Sequence, residues 1–276
     1  MQTLRLSLVF IIIFFTTAVN AQKSNYPLSI EGDTSIRFAG QRLLLSKQGF
    51  PEQMPVFPGS DGKDTMAQPT RLLAENIHFH FTNQADGKDI RLKSGGLDFT
   101  ARASRKVSWT VTSAAEALSM EVAGTMRSNG VLEYIVKVTA LQDLDLKDIV
   151  MHIPFQKDFA QSMVGLGKQG DYQPDSMYHW KWDAAHVEPI GAWIGTAGSG
   201  VGIGASGAVA GAVGAGLRYT LVGPATWYNE GKGGIDVGIK GKSMLVNNYS
   251  GPRHLSKGDT LYYNFNLQLS RDRSIK

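Results

Sequence analysis

The residues best suited to chemistry lie in one stretch, Met163 to Thr196, which combines aromatic rings with carboxylates. Trp180 and Trp182 are two positions apart, so they share one face if the segment is a strand. A flat aromatic face beside carboxylates suits a sugar, because the ring carbons pack on the indole while the hydroxyls reach the carboxylates. Packing inside a core is the competing interpretation, since Trp is the largest filler of protein interiors. The residues that we predict to contact a glycan are Tyr172, Trp180, Trp182, Asp183, Trp193, Trp227 and Tyr228.

The carboxylates of this stretch also allow an enzymatic interpretation, in which two of them act as general acid and general base. The candidates for those two roles are Asp171, Asp175, Asp183 and Glu188. Carboxylates in loops are usually solvated rather than catalytic. We therefore assign no catalytic residue from the sequence.

A histidine pair follows from the strand signal NIHFHFT, which places Phe79 and Phe81 on one face and His78 and His80 on the other. Two histidines at i and i+2 could bind a metal ion, but no third ligand with suitable spacing follows them. We predict a polar strand face here, and we expect neither a metal nor a cofactor.

The elements that must position these residues are strands. Alternating segments recur about every ten residues with turn chemistry between them, and few segments carry an apolar stripe of helical period. Asn129-Gly130, between two such segments, is typical of a hairpin. This pattern predicts an all-β protein, an antiparallel β-sandwich of two large sheets with a Gly-rich insertion.

The insertion is the Gly/Ala-rich run at residues 196–216, TAGSGVGIGASGAVAGAVGAG, which we predict to be a low-complexity loop. It contains Gly202-x-Gly204-x-x-Gly207, the spacing of a dinucleotide-binding fingerprint. The βαβ setting and the distal acidic residue of that fingerprint are missing, so the match carries no cofactor prediction. A membrane helix is also disfavoured, because the run has so much glycine and so little Leu or Ile.

The N-terminus predicts export. Residues 1–21 combine Arg5, a short apolar run and small residues before Gln22, which is the pattern of a signal peptide. An uncleaved anchor is the alternative interpretation of this segment. We expect residues 22–276 to form a single β-sandwich domain in the periplasm or outside the cell, with no membrane span after cleavage. Cysteine is absent, so such a domain depends on its core alone.

The charge pattern argues against nucleic acid as a partner. The net charge is only +4, and basic and acidic residues are interspersed along the chain. A nucleic-acid-binding surface would cluster Lys and Arg on one face.

Many blocks of the chain carry a resemblance to a known family. The blocks are ENIHFHF, KSGGLDF, VSWTV, EALSMEV, ALQDLDLKDIVMHIPF, MVGLGKQGDYQPDSMYHWKWD, AWIG, WYNEGKGGID and GDTLYYNFNL. Together, from about residue 36 to 269, they resemble the N-terminal domain of glycoside hydrolase family 123. The resemblance implies a β-sandwich placed before a catalytic TIM barrel, in enzymes similar to exo-acting β-N-acetylgalactosaminidases. The resemblance implies that their nucleophile is the substrate's own acetamido group, assisted by an Asp-Glu pair in the barrel, and we expect no counterpart of that pair among these residues.

We therefore predict a non-catalytic N-terminal accessory module of an exported glycoside hydrolase. Its expected partners are a glycan or oligosaccharide and a glycoside hydrolase catalytic domain. The alternative is a stand-alone or truncated glycosidase that acts on glycans containing N-acetylhexosamine. A third hypothesis is a structural remnant with an exposed apolar patch where a barrel once docked.

Overall fold

The computed structural model describes residues 26–54, 71–169, 177–182, 189–196, 201–203, 209–211 and 216–270. The signal-peptide prediction for residues 1–21 lies outside them. Regular structure in the described ranges is mostly strand, with one short helix, α1 (Pro224–Tyr228), followed by a 3₁₀ turn (Asn229–Gly231). The strands are β1 (Ser29–Glu31), β2 (Ser35–Phe38), β3 (Gln41–Leu45), β4 (Pro51–Gln53), β5 (His78–Asn83), β6 (Lys93–Ala103), β7 (Lys106–Ala114), β8 (Leu118–Arg127), β9 (Val131–Ala140), β10 (Leu144–Gln156), β11 (Ser162–Gly165), β12 (Lys168–Gln169), β13 (Tyr178–Lys181), β14 (Ile190–Gly195), β15 (Val201–Ile203), β16 (Val209–Gly211), β17 (Gly216–Val222), β18 (Gly234–Lys240), β19 (Ser243–Tyr249), β20 (Arg253–Leu255), β21 (Thr260–Tyr262) and β22 (Asn264–Ser270).

Two large antiparallel sheets form the body of the domain. The ten-stranded sheet has the order β12-β11-β14-β17-β22-β9-β8-β7-β6, with β21 also paired to β9. The six-stranded sheet has the order β13-β18-β19-β10-β20, with β5 also paired to β10. A smaller sheet joins β1 to β4. The predicted all-β, antiparallel two-sheet sandwich is confirmed. Among the described residues, no helix has the length and apolar character needed to cross a bilayer.

The core lies between the two sheets because each strand alternates apolar and polar side chains. Phe79 of the six-stranded sheet and Tyr134 of the ten-stranded sheet both lie against Phe50, with ring centroids 5.6 and 5.8 Å from it. Tyr134 in turn stacks on Phe265 at 4.7 Å. Each such ring contributes roughly 1.5–3 kcal/mol through the apolar surface that it buries. This aromatic column explains how a domain without disulfides is held together.

The predicted hairpin around Asn129-Gly130 is present, since β8 and β9 are antiparallel neighbours and Gly130 has a φ of +84°. The glycine-rich run differs from a simple loop. Within it, residues 201–203 and 209–211 form β15 and β16, which pair with each other. Val201, Ile203 and Val209 are β-branched residues that favour the extended backbone. The rest of this run, residues 197–200, 204–208 and 212–215, lies outside the described residues.

A β-bulge interrupts β10, the central strand of the six-stranded sheet. The pairing with β5 shifts register between Leu146 and Asp148. Before the bulge the even-numbered side chains are buried, and after it the odd-numbered ones are buried. The Asp148 carboxylate fixes the bulge, because its Oδ1 accepts hydrogen bonds from the backbone N–H groups of Ile149 and Gly251, both at 2.8 Å. The turn before β20 is thereby tied to the bulge.

Candidate functional site

The aromatic stretch is only partly within the described residues. Tyr172 and Asp183 lie outside them, as do the other candidate catalytic carboxylates, at positions 171, 175 and 188. Trp180 lies half-buried on β13, and Trp182 follows that strand with 4% of its surface exposed. The two indoles meet edge to face with centroids 5.1 Å apart. They form one aromatic pair, of which only Trp180 offers a face to solvent.

Trp193 and Trp227 are packing residues, because both are fully buried. A Cβ placed on Gly216 would lie 2.2 Å from the Trp193 ring, so this glycine makes room for the indole. Trp227 packs edge-on against Tyr263 at 4.9 Å, and its Nε1–H donates to the Asn264 carbonyl at 3.2 Å. Trp227 therefore anchors α1 to the core and fixes the segment that follows it.

That segment carries two residues in the left-handed region of the backbone. Asn229 has a φ of 43° and Glu230 a φ of 55°, which disfavours residues other than glycine by about 1 kcal/mol each. Bonds compensate for the strain at Asn229, since its Nδ2 donates to the carbonyls of Ser250 at 2.6 Å and Pro252 at 3.1 Å. Glu230 has no such anchor: its side chain is 85% exposed, with Lys232 Nζ at 3.4 Å. Strain of this kind tends to occur at functional sites.

The turn before β20 forms the facing wall. A Cβ on Gly251 would come within 2.9 Å of the Lys232 side chain and carbonyl, so a glycine is needed for the two turns to approach. Gly251 also has a φ of +71°, and its N–H is held by Asp148. Burial raises the pKa of the Asp148 carboxyl above its usual range. Asp148 acts here as a structural clamp.

Between these walls lies a cavity of about 380 Å³, called here the Asn229 pocket. Two charged pairs border it, Lys232 with Glu230, and His254 Nδ1 with Asp145 Oδ1 at 2.8 Å, while Arg253 donates to the Thr226 carbonyl. The Asp145 carboxylate holds the pKa of His254 above its ordinary value. Donors and acceptors around a small apolar surface can orient the hydroxyls of a sugar. The pocket is lined by Gln84, Asp145, Leu146, Asn229, Glu230, Lys232, Pro252, Arg253 and His254.

A second polar cluster forms around the histidines of β5. His78 and His80 lie on its outer face as predicted, and β10 adds His152, whose ring centroid is 4.8 Å from that of His78. In the described part of the chain, no group of three or more His, Cys, Asp or Glu side chains is arranged to hold a metal ion. The sequence did not predict the third histidine, because it is distant along the chain.

The family to which the chain belongs follows from its match to a protein-family model. The model described as "Glycoside hydrolase 123, third domain" matches residues 28–270. This chain belongs to glycoside hydrolase family 123. The predicted family is thereby confirmed, while the matching model describes a third domain rather than the N-terminal domain assigned from the sequence.

Other comparisons with this family 123 domain are more distant. No curated protein matches it. A GalM/aldose epimerase homologue from C. elegans is 10% identical with a TM-score of 0.49, over 89% of this chain and 98% of that one. A galactose mutarotase related enzyme from Lactobacillus acidophilus is 8% identical with a TM-score of 0.42, over 90% of this chain and 99% of that one.

The sequence indicated one side of the Asn229 pocket in this family 123 domain and missed the other. Tyr228, predicted as a contact, is half-buried directly before Asn229, and both belong to the block WYNEGKGGID that contributes to the family resemblance. Its Asn-Glu before glycine could have indicated a strained turn. Asp145, Arg253 and His254 gave no signal, because only strand pairing between β10 and β20 brings them to this turn.

Proposed function

We propose that this domain is a non-catalytic, carbohydrate-binding module of an exported glycoside hydrolase, and that the Asn229 pocket holds a sugar residue. Its task would be to keep a glycan close to a catalytic barrel against which the domain packs. The observation that carries the proposal is the exposed, strained Glu230 at the rim of a polar cavity of sugar size.

The construction of the pocket supports this role. Its two turns are fixed from behind by Trp227, by the Asn229 amide and by Asp148, so the polar groups are ordered before any ligand arrives. Preorganisation of this kind reduces the entropy lost on binding. Membership of family 123 supports a carbohydrate as the ligand.

Calorimetry with the full chain and oligosaccharides ending in N-acetylgalactosamine tests this proposal. We expect saturable binding that weakens at least about tenfold in Glu230→Gln and in Asp145→Asn, because each loses a charged acceptor. Glu121→Gln is the matched control, since Glu121 pairs with Lys137 at 3.3 Å on the ten-stranded sheet, much as Glu230 pairs with Lys232. Binding that survives both pocket variants, or no binding by folded protein, would refute the assignment.

A second candidate function is hydrolysis within the same pocket. Asp145 and Glu230 both line it, and glycosidases commonly act with two carboxylates. Release of chromophore from an aryl N-acetylhexosaminide, abolished in Asp145→Asn, would replace the accessory role with a catalytic one. We expect no turnover.

Export is a separate part of the proposal and rests on residues 1–21. N-terminal sequencing of the protein recovered from the periplasm or medium should begin at Gln22. Recovery of the intact N-terminus from the cytosol would count against export.

A further inference from the structure

The outer face of the six-stranded sheet carries a polar row that crosses five strands. Its members, each the register partner of the next, are His179, Asp236, Asn247, His152 and His78. His179 Nδ1 lies 2.7 Å from Asp236 Oδ1, and His152 Nδ1 lies 2.6 Å from Asn247 Oδ1. The row ends in a cavity, separate from the Asn229 pocket, with a volume of about 360 Å³.

Three histidines and a lysine surround this histidine cavity. His78, His80 and His152 line it together with Lys240 and Glu75. The His152 ring is 4.8 Å from that of His78 and 5.8 Å from that of His80. So many groups that can carry positive charge, around a space open to a ligand, favour an anionic ligand.

The hydrogen bonds determine which nitrogens can face such a ligand. His78 Nδ1 lies 2.9 Å from the Asn76 carbonyl, and His152 Nδ1 bonds the Asn247 amide oxygen. Both partners only accept, so each Nδ1 carries the hydrogen and Nε2 is the acceptor in the neutral ring. Protonation keeps both bonds and turns each Nε2 into a donor. The cavity can thus change from acceptor-lined to donor-lined without rearranging the sheet.

The charge around the cavity becomes more positive with this step. At neutral pH, Lys240 and Glu75 line the cavity with opposite charges, and His80 Nε2 lies 3.3 Å from Asp89 Oδ1. Farther along the row, Asp236 is engaged by His179. Each proton bound within this cluster adds one positive charge close to Lys240, which strengthens the attraction for an anion.

We propose that the histidine cavity is a proton-gated oxyanion site, which takes the sulfate or carboxylate group of an acidic sugar when its histidines are protonated. The proposal goes beyond the neutral-sugar pocket around Asn229 and does not depend on it. Three features carry it: the shared cavity, the anchored Nδ1 atoms and the adjacent Lys240.

The proton affinity of the half-buried His152 agrees with such gating. Burial, reinforced by the neighbouring His78, His80 and Lys240, lowers the pKa of His152 to about 4. An oxyanion in the cavity would attract the protonated ring and so raise that pKa. Binding of the anion and uptake of the proton must then favour each other.

Calorimetry of the full chain at pH 5.0 and pH 7.5 tests the site with three probes: sodium sulfate, N-acetylgalactosamine 6-sulfate and N-acetylgalactosamine. We expect the two probes that carry sulfate to bind at least about tenfold more tightly at pH 5.0 than at pH 7.5, because one linked proton changes affinity up to tenfold per pH unit. Preference for the sulfated sugar assigns a glycan as the source of the anion, and equal affinity for sodium sulfate assigns a free oxyanion.

Variants separate this site from general charge effects. His152→Gln and Lys240→Gln should abolish the gain in affinity at pH 5.0. Lys137→Gln, which replaces a lysine on the ten-stranded sheet, should leave that gain unchanged. Unsulfated N-acetylgalactosamine, which lacks the anion, should show no such gain, which distinguishes a failure here from a failure of the Asn229 pocket. If a histidine variant does not fold, NMR titration of the wild-type imidazoles still decides: sulfate must raise a histidine pKa. Equal affinity at both pH values, or Zn²⁺ binding at pH 7.5 without sulfate binding at pH 5.0, would overturn the proposal.

Discussion

The packed tryptophans and the polar face of the six-stranded sheet differ in the space around their side chains, which is filled in the first case and open in the second. Around Trp109 and Trp193, glycines leave space that only an indole fills. Around Glu230 and His152, polar side chains border open space. Large aromatic residues in this sandwich therefore indicate core packing, whereas strained or clustered polar residues indicate the surfaces able to bind a ligand.

Removing a packed tryptophan tests the first half of this contrast with the largest expected effect. Trp193→Ala should lower the free energy of unfolding by about 3–5 kcal/mol, because it leaves a cavity in a fully buried position. Urea unfolding measures the loss. Sugar binding by the folded fraction should be unchanged, and a variant of normal stability that no longer binds sugar would place Trp193 in the binding site instead.

Filling the space beside a tryptophan should have the next largest effect. A Cβ on Gly124 would lie 2.2 Å from the Trp109 ring, whose Nε1–H donates to the Gly49 carbonyl at 2.8 Å. Gly124→Ala should therefore destabilise the domain by about 1–3 kcal/mol through overpacking. Trp109→Phe in the same chain provides the control in thermal unfolding, because the smaller ring should recover part of the loss. Simple additivity of the two changes would contradict the steric explanation.

The histidine face predicts a pH dependence that the packed core lacks. The folded pKa of His152, about 4, lies below its ordinary value of 6.5, so the unfolded chain binds the proton more readily in this window. Stability should fall as the pH is lowered from 6.5 to 4, and His152→Gln should remove about 1–2 kcal/mol of that fall after allowance for solvent screening.

His254 is the matched control, with the opposite sign. Its pKa is raised by Asp145, so it stabilises the fold at pH values below 6.5, and that contribution is lost as the pH rises through its folded pKa. Denaturant titrations at several pH values should show His254→Gln steepening the acid-side loss. The same change of slope in both variants would mean that another group controls it.

Relieving the strain at Glu230 should produce the smallest change, and a favourable one. Glu230→Gly should raise stability by about 0.5–1 kcal/mol, because glycine adopts a φ of 55° without penalty. The same variant should lose sugar affinity. Glu230→Gln, which keeps the strain, should lose affinity without the gain in stability. A stabilised Gly variant with full affinity would mean that Glu230 has no part in binding.

The architecture of this domain could be predicted from its sequence, because the alternation of apolar and polar residues and the turn motifs are local signals. The strands, the Asn129-Gly130 hairpin and the outward side of His78 and His80 all follow from residues close together in the chain. The pairing of Trp180 with Trp182 also follows from positions close together in the chain. Burial could not be predicted in the same way, since the packing of Trp227 depends on Phe79 and Tyr263, which come from separate elements.

Both candidate sites depend on long-range pairing. His152 meets His78 only because β10 pairs with β5, and Asp145 meets His254 only because β10 pairs with β20. A single sequence contains no register for either pairing. The sequence showed which residues could bind or react, but it did not show which of them come together in the fold.

The bulge at Asp148 has a consequence for long, linear ligands. Without its extra residue, Asp145 and His152 would point to opposite sides of the sheet; with it, both lie on the outer face. They are separated by about 20 Å along one strand. A polysaccharide lying along β10 would meet both cavities at once, and its second contact would form at high effective concentration. The protein would then bind long glycans more tightly than short ones, without any additional residue at either cavity.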